Sequence, residues 1–333
     1  MKALAVIFGL SGPRLTPAER VFFRDANPWG FILFSRNIET PEQVTRLTAD
    51  LRETVGRNCL VFIDQEGGRV QRCKAPHWRR YRPASDFGAL YMKNRSIALR
   101  ANYLKHRLMA DDLRAIGVTA NCAPVIDLPR ASADPIISDR AYDRHTGPVI
   151  DLAHSAMAGL MMGGVAPVIK HIPGHGRAKV DSHKALPRIE TRRATLEKTD
   201  FLPFRVLSDA PMAMTAHAVY SDFARSPVTL SKRALTEIIR AAIGFDGLVM
   251  SDDLDMKALS GGLTLKTERA LKAGCDIALQ CSGRLADMVK VAKGARQLSG
   301  RSIMRAQIAD DCAVYVTPFD RRAALAELDS LMS

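Results

Sequence analysis

A chain of 333 residues, 47% hydrophobic and 25% charged, has the composition of an ordinary globular protein, not of a disordered or fibrous one. No apolar run is long enough to cross a bilayer as a helix, and the six cysteines include no C-x-x-C pair, so a membrane span and a disulfide framework both drop out. The net charge of +13 leaves room for an anionic partner: nucleic acid, acidic lipid or an acidic small substrate.

The first apolar run, 3–9 "ALAVIFG", follows one lysine, and Pro13 and a helix start come after it with no small-residue cleavage site. It reads as a strand and not as a signal peptide. Seven more short apolar runs follow: 29–34 "WGFILF", 59–64 "CLVFID", 118–125 "VTANCAPV", 165–171 "VAPVIKH", 210–216 "APMAMTA", 247–252 "GLVMSD" and 276–281 "DIALQC". Runs of this kind fit strands buried on both faces of a parallel sheet. Helical patterns alternate with them. Thr16 with Glu19, and Thr40 with Pro41 and Gln43, predict capping boxes. Helices are predicted over 96–116, ending at Gly117, and over 147–163, 195–208 and 231–243, with Gly244 as the last stop. Beyond residue 281 the pattern is helical. Eight strands alternating with helices predict an α/β fold, a (β/α)8 TIM barrel. The competing doubly wound sheet lacks a G-x-G-x-x-G turn after its first strand, since "FGLSGPRL" continues into Pro13.

Cys59, Cys122, Cys275 and Cys281 lie in or beside apolar runs, which suits reduced thiols in a cytoplasm. Between Glu66 and Arg107 eleven Lys/Arg stand against two acids, and "HWRRYRP" sets Trp78 and Tyr81 among the arginines. That segment is an anion-binding surface or a solvated basic loop.

In a (β/α)8 barrel, chemistry sits at the C-terminal strand ends. Here those ends carry Asp64; Asn121 and Asp127; Lys170 and His171; His217; and Ser251, Asp252 and Asp253. This convergence of ionisable groups on one rim points to an enzyme. The stretch 169–187, "IKHIPGHGRAKVDSHKALP", raises two chemistries. His171 and His175 have H-x3-H spacing, but Pro173 and Gly174 between them prevent the helix that would aim both at one metal. His175 then reads as a structural histidine that donates to backbone. Asp181 and His183 suit acid–base work, because a carboxylate fixes the tautomer of a neighbouring imidazole and stabilises its cation.

"KHIPGHGRAKVDSH" resembles the K-H-F-P-G-H-G…D-S-H signature of bacterial β-N-acetylhexosaminidases of glycoside hydrolase family 3, and "GFDGLVMSDDLDM" is similar to that family's nucleophile motif. "IDQEGGRVQR", "NCAPVIDL" and "IISDRAY" resemble further family segments, in the family's order. Ile172, Arg177, Ala178 and Ala242 depart from the family's usual residues. The resemblance implies one barrel domain over 1–333 with C-terminal helices. It implies Asp252 as nucleophile, His183 as general acid and then base, and Asp181 as its partner. Asp64, Arg72, Arg140, Lys170 and His171 are implied to hold the sugar. Consecutive strand residues point to opposite sides, so only one of Asp252 and Asp253 is expected to face the barrel axis.

The implied activity is that of an exo-acting, retaining β-N-acetylglucosaminidase of peptidoglycan recycling, cytoplasmic and monomeric. Its implied substrate is GlcNAc-1,6-anhydro-N-acetylmuramic acid and its peptides. No cofactor, metal, nucleic acid or membrane is expected. A β-N-acetylglucosamine phosphorylase on the same scaffold is the near alternative. A nucleic-acid-binding protein that uses 66–107 is the distant one.

Overall fold

A computed structural model describes residues 3–131 and 133–333. Its strands are β1 (Leu4–Gly9), β2 (Pro28–Leu33), β3 (Leu60–Ile63), β4 (Ala120–Asn121), β5 (Ala166–Ile172), β6 (Arg188–Ile189), β7 (Met212–Thr215), β8 (Val219–Tyr220), β9 (Leu248–Asp253) and β10 (Ile277–Gln280). Eight of them close a barrel in the order β1-β2-β3-β4-β5-β7-β9-β10, and every barrel pair is parallel. The chain folds as the expected (β/α)8 barrel. β6 and β8 pair separately, as a two-stranded parallel sheet outside the barrel ladder. β4 is shorter than its apolar run because Pro124 has no N–H to give the ladder; Cys122 N–H still reaches Ile63 O at 2.8 Å.

The barrel is wrapped by α1 (Pro17–Ala26), α2 (Pro41–Val55), α3 (Ala84–Lys93), α4 (Arg95–Ala115), α5 (Thr146–Met162), α6 (Arg193–Lys198) and α7 (Phe201–Val206). A π-helix at Ala234–Ala242, α8 (Leu263–Ala273), α9 (Leu285–Gly294), α10 (Arg301–Asp311) and α11 (Arg321–Leu331) complete the shell. Thr16 and Glu19 make the full reciprocal capping box. Thr40 caps α2, but the Gln43 side chain turns elsewhere: it accepts from Glu39 N–H at 2.9 Å and donates to Pro13 O at 2.6 Å. The single helix expected over 195–208 is two. Pro203 lacks the N–H that would bond Thr199 O, and the chain breaks at Thr199.

The basic segment 66–107 is largely structural. Arg100 makes two bonds of 2.7 Å to Glu327, Arg79 pairs with Asp329, and Arg321 returns the favour from α11 to Asp111 and Asp112 of α4. Trp78 and Tyr81 are buried, and Tyr81 donates to Asp112 at 2.6 Å. The two aromatics are therefore not offered to solvent as a surface for stacking on bases.

Candidate active site

The C-terminal ends of the barrel strands surround one cavity, and its floor is a chain of alternating charges. Lys170, at the end of β5, has its ammonium 3.0 Å from Asp64 and 2.7 Å from Glu66. Arg72 closes the Asp64 end at 2.9 Å, and Arg140 grips both oxygens of Glu66 at 2.8 Å. Burial alone would raise both carboxyls. Lys170 and Arg72 outweigh it at Asp64 and hold that group well below the usual range; Arg140 and Lys170 bring Glu66 down to about 2. Burial likewise works against the Lys170 cation, and the two carboxylates reverse it and raise the ammonium above its ordinary value. Asp64, Glu66 and Lys170 are thus ionised at neutral pH, and all five side chains are already oriented by one another. Beneath them Lys105 donates to Glu66 O at 2.8 Å, and burial pushes its ammonium down to about 7.

Asp127, from the segment after β4, organises the next sector. Its Oδ2 accepts from His171 Nδ1–H at 2.7 Å, while Oδ1 accepts the backbone N–H of His171 at 3.1 Å and of His175 at 2.6 Å. His171 therefore keeps Nε2 for the cavity. His175 is not the backbone donor expected of it. It is 5% exposed, it lines the cavity, and neither ring nitrogen has a hydrogen-bond partner. Burial, then the neighbouring His171, lowers its imidazole to about 4, so it stands neutral with one donor and one acceptor unused. Among the described residues, no group of three or more His, Cys, Asp or Glu is arranged to hold a metal ion.

Asp252 and Asp253 end β9, and both contribute to the cavity wall, contrary to the expectation that only one faces inward. Their carboxylates differ in what they do. Asp253 Oδ1 accepts N–H from Asp255 and from Cys281, each at 3.1 Å, which turns it onto the β10 end; burial raises it to about 6. Burial also opposes ionisation of Asp252, but His217 and His171 prevail and lower it. His217 is held as one tautomer. Its Nε2–H donates to Asp253 O at 3.0 Å, so Nδ1 accepts from Thr229 Oγ1 at 2.7 Å, and Thr215 in turn donates to Thr229.

The remaining wall is the segment after β5. Gly174 (φ +127) and Gly176 make the turn, and a Cβ on Gly176 would stand 2.0 Å from Leu128 O, so only glycine lets this segment lie against the Asp127 region. Beyond it Asp181 accepts from both the backbone N–H and Nδ1–H of His183 at 2.9 Å. Asp181 is largely shielded at 12% exposure, whereas the His183 ring is 65% exposed and lines the cavity with its Nε2 unengaged.

Asp64, Arg72, Arg140, Lys170, His171, His183 and Asp252 all line this one cavity, and Asp181 reaches it through His183. Sequence reasoning flagged Asp127 and His217 at strand ends and weighed His175, but gave none of them a catalytic or sugar-binding role, and it passed over Glu66 and Thr229. Glu66 lies three residues past the end of β3, and Thr229 lies in a connecting segment with no pattern to mark it.

Residues 16–313 match the glycosyl hydrolase family 3 N-terminal domain. A beta-hexosaminidase of Alkalilimnicola ehrlichii is 38% identical over 83% of this chain and 80% of its own length. Native NagZ from Neisseria gonorrhoeae superposes with a TM-score of 0.89 at 30% identity, covering 100% of this chain and 99% of that one. The same neisserial protein has been solved in complex with N-trifluoroacetyl-D-glucosamine, again at a TM-score of 0.89. The chain belongs to glycosyl hydrolase family 3 and is a glycoside hydrolase of the beta-hexosaminidase type.

Proposed function

We propose that the enzyme is an exo-acting, retaining β-N-acetylglucosaminidase with Asp252 as nucleophile and His183–Asp181 as its acid–base pair. The observation that carries the reading is the presence, in one cavity, of a carboxylate held below its ordinary range and an imidazole whose Nδ1 is held by Asp181 and whose Nε2 has no partner. Asp252 attacks the anomeric carbon while His183 Nε2–H protonates the departing glycosidic oxygen. The resulting neutral Nε2 then takes a proton from water as it attacks the glycosyl-Asp252 ester. Two displacements at one carbon retain configuration. Asp181 accepts from Nδ1–H throughout and so keeps Nε2 as the nitrogen that gives and takes the proton.

Asp64, Arg72, Lys170 and His171, with Glu66 and Arg140 bracing them, hold the hydroxyls and the N-acetyl group. His175 completes its two idle nitrogens against the bound sugar or its water. Resemblance to peptidoglycan-recycling enzymes supports GlcNAc-1,6-anhydro-N-acetylmuramic acid and its peptides as substrate, in a cytoplasmic monomer. Of the basic segment, Arg69 on the cavity wall and Lys74 and Arg80 just outside it are placed to attract the carboxylates of such an aglycone.

The test is product analysis on that disaccharide. The expected first product is the β-anomer of free GlcNAc, in the same amount with and without phosphate. GlcNAc 1-phosphate formed only with phosphate would overturn hydrolysis in favour of phosphorolysis, and the α-anomer would overturn retention.

A further inference from the structure

A second cavity, sharing no lining residue with the first, lies against the segment that carries Asp181 and His183. Arg177 and Lys179 come to it from the start of that segment, Arg188 from its end in β6, and Arg130 from the segment after β4. Four cations therefore meet one carboxylate, Glu190. Among the described residues only Arg177 of the four has an ion-pair partner, Asp200 at 2.8 Å. The Nε of Arg130 is buried with no hydrogen-bond partner. The two segments already touch through backbone: Arg130 N–H donates to Gly176 O at 3.1 Å, and Asp134 N–H to Ala178 O at 2.8 Å.

We infer that this cavity is a binding site for a small oxyanion, a phosphate group or a di- or tricarboxylate. A guanidinium presents donors in a planar fork that matches such oxygens, and Lys179 and Arg188 add point charges. The cavity's own lining sets only Glu190 against these four cations. The anion would bridge both ends of the His183 segment to Arg130, and so restrain it against the barrel. Nothing in the hydrolytic cycle uses these four side chains, so the site is additional to the sugar cavity. Its bearing on turnover rests on the role assigned to His183; binding and restraint do not.

The experiment is calorimetric titration of the intact enzyme with inorganic phosphate, pyrophosphate and citrate, at an ionic strength matched with sodium chloride and with GlcNAc present to occupy the sugar cavity. Phosphate and pyrophosphate report the phosphate chemistry, and citrate reports the carboxylate one. Saturable binding of at least one is expected, weakened tenfold or more in Arg130→Gln. Lys179→Gln/Arg188→Gln, which alters only exposed side chains, keeps the test valid if Arg130→Gln fails to fold. The bound anion should also slow tryptic cleavage after Lys179 and Lys184. No saturable heat from any of the three overturns the site, as does undiminished affinity in the variants. Binding that leaves the cleavage rate unchanged overturns the restraint. Neither readout involves turnover, so a failure of the hydrolytic reading leaves them intact.

Discussion

Asp127 and His171 meet at 2.7 Å, with the carboxylate fully enclosed and the imidazole at the cavity wall. The bond dictates which nitrogen of His171 is offered to a ligand. In Asp127→Asn the amide oxygen can keep the two backbone N–H bonds, but the NH2 then faces Nδ1 and forces the opposite tautomer. A hydrogen bond to a charged group contributes about 1.5–3 kcal/mol. We expect kcat/KM on an aryl β-N-acetylglucosaminide to fall roughly 10–100-fold with the melting temperature little changed. Unaltered kinetics would show that the His171 tautomer has no bearing on sugar binding.

The two carboxylates ending β9 make opposite predictions. Asp252→Asn should reduce turnover to background. Asp253→Asn should retain it, because an amide oxygen can still accept from Asp255 and Cys281. The pH dependence of stability separates them as well. Burial leaves Asp253 protonated in the fold up to about pH 6, whereas an unfolded aspartate ionises near its usual 3.8. The folded state then binds more protons between these values, so its stability falls as pH rises through that window. Chemical denaturation across pH 4–7 should show this slope in the wild type and lose it in Asp253→Asn.

Lys170 lies between two carboxylates and is almost fully enclosed. Lys170→Met removes the cation and leaves Asp64 and Glu66 facing each other. Breaking a buried ion pair in this way costs about 3–5 kcal/mol. Urea unfolding should register a loss of that order, together with lost activity. A variant as stable as the wild type would mean that Arg72 and Arg140 suffice to neutralise the floor.

His183 stands on an exposed segment, so its replacement should spare stability and strike chemistry alone. General acid–base assistance contributes ~10²–10⁴-fold. His183→Ala should lose that much on a sugar aglycone and far less on a nitrophenyl glycoside, whose leaving group needs no proton. An equal loss on both would argue against proton donation to the glycosidic oxygen.

Raising salt should increase KM for a muropeptide and leave KM for a neutral chromogenic glycoside nearly constant, since exposed charges are screened over ~10 Å at 0.1 M. Arg80→Gln should remove most of the difference. The salt effect is expected to be modest, because the structure spends Arg79, Arg100 and Lys105 on internal contacts.

The barrel was legible because its strands are short apolar runs alternating with helical patterns, and several of them lead into ionisable residues at the C-terminal end. The site was legible where function falls on such ends, as with Asp64, Lys170, His171 and Asp252. It was illegible where a residue acts by bracing another. Glu66 fixes Arg140 from 74 positions away, and Thr229 fixes His217 from a segment with no periodicity. His175 was misread because spacing shows that no helix aligns it with His171, yet cannot show that its ring is left without partners. The split of the 195–208 helix was readable in Pro203, whose missing N–H outweighs the apolar pattern around it.

The charged floor has a final consequence, for selectivity. Its five side chains are locked to one another before any sugar arrives, so ligand entry demands little rearrangement and offers little accommodation. Epimers that move one hydroxyl then meet a fixed array and not a pliant one. Discrimination among hexosamines should therefore be set within the barrel, whereas tolerance toward the leaving group is set by the exposed His183 segment. Inhibitors built on the sugar alone would gain selectivity for the hexosamine but not for what is attached to it.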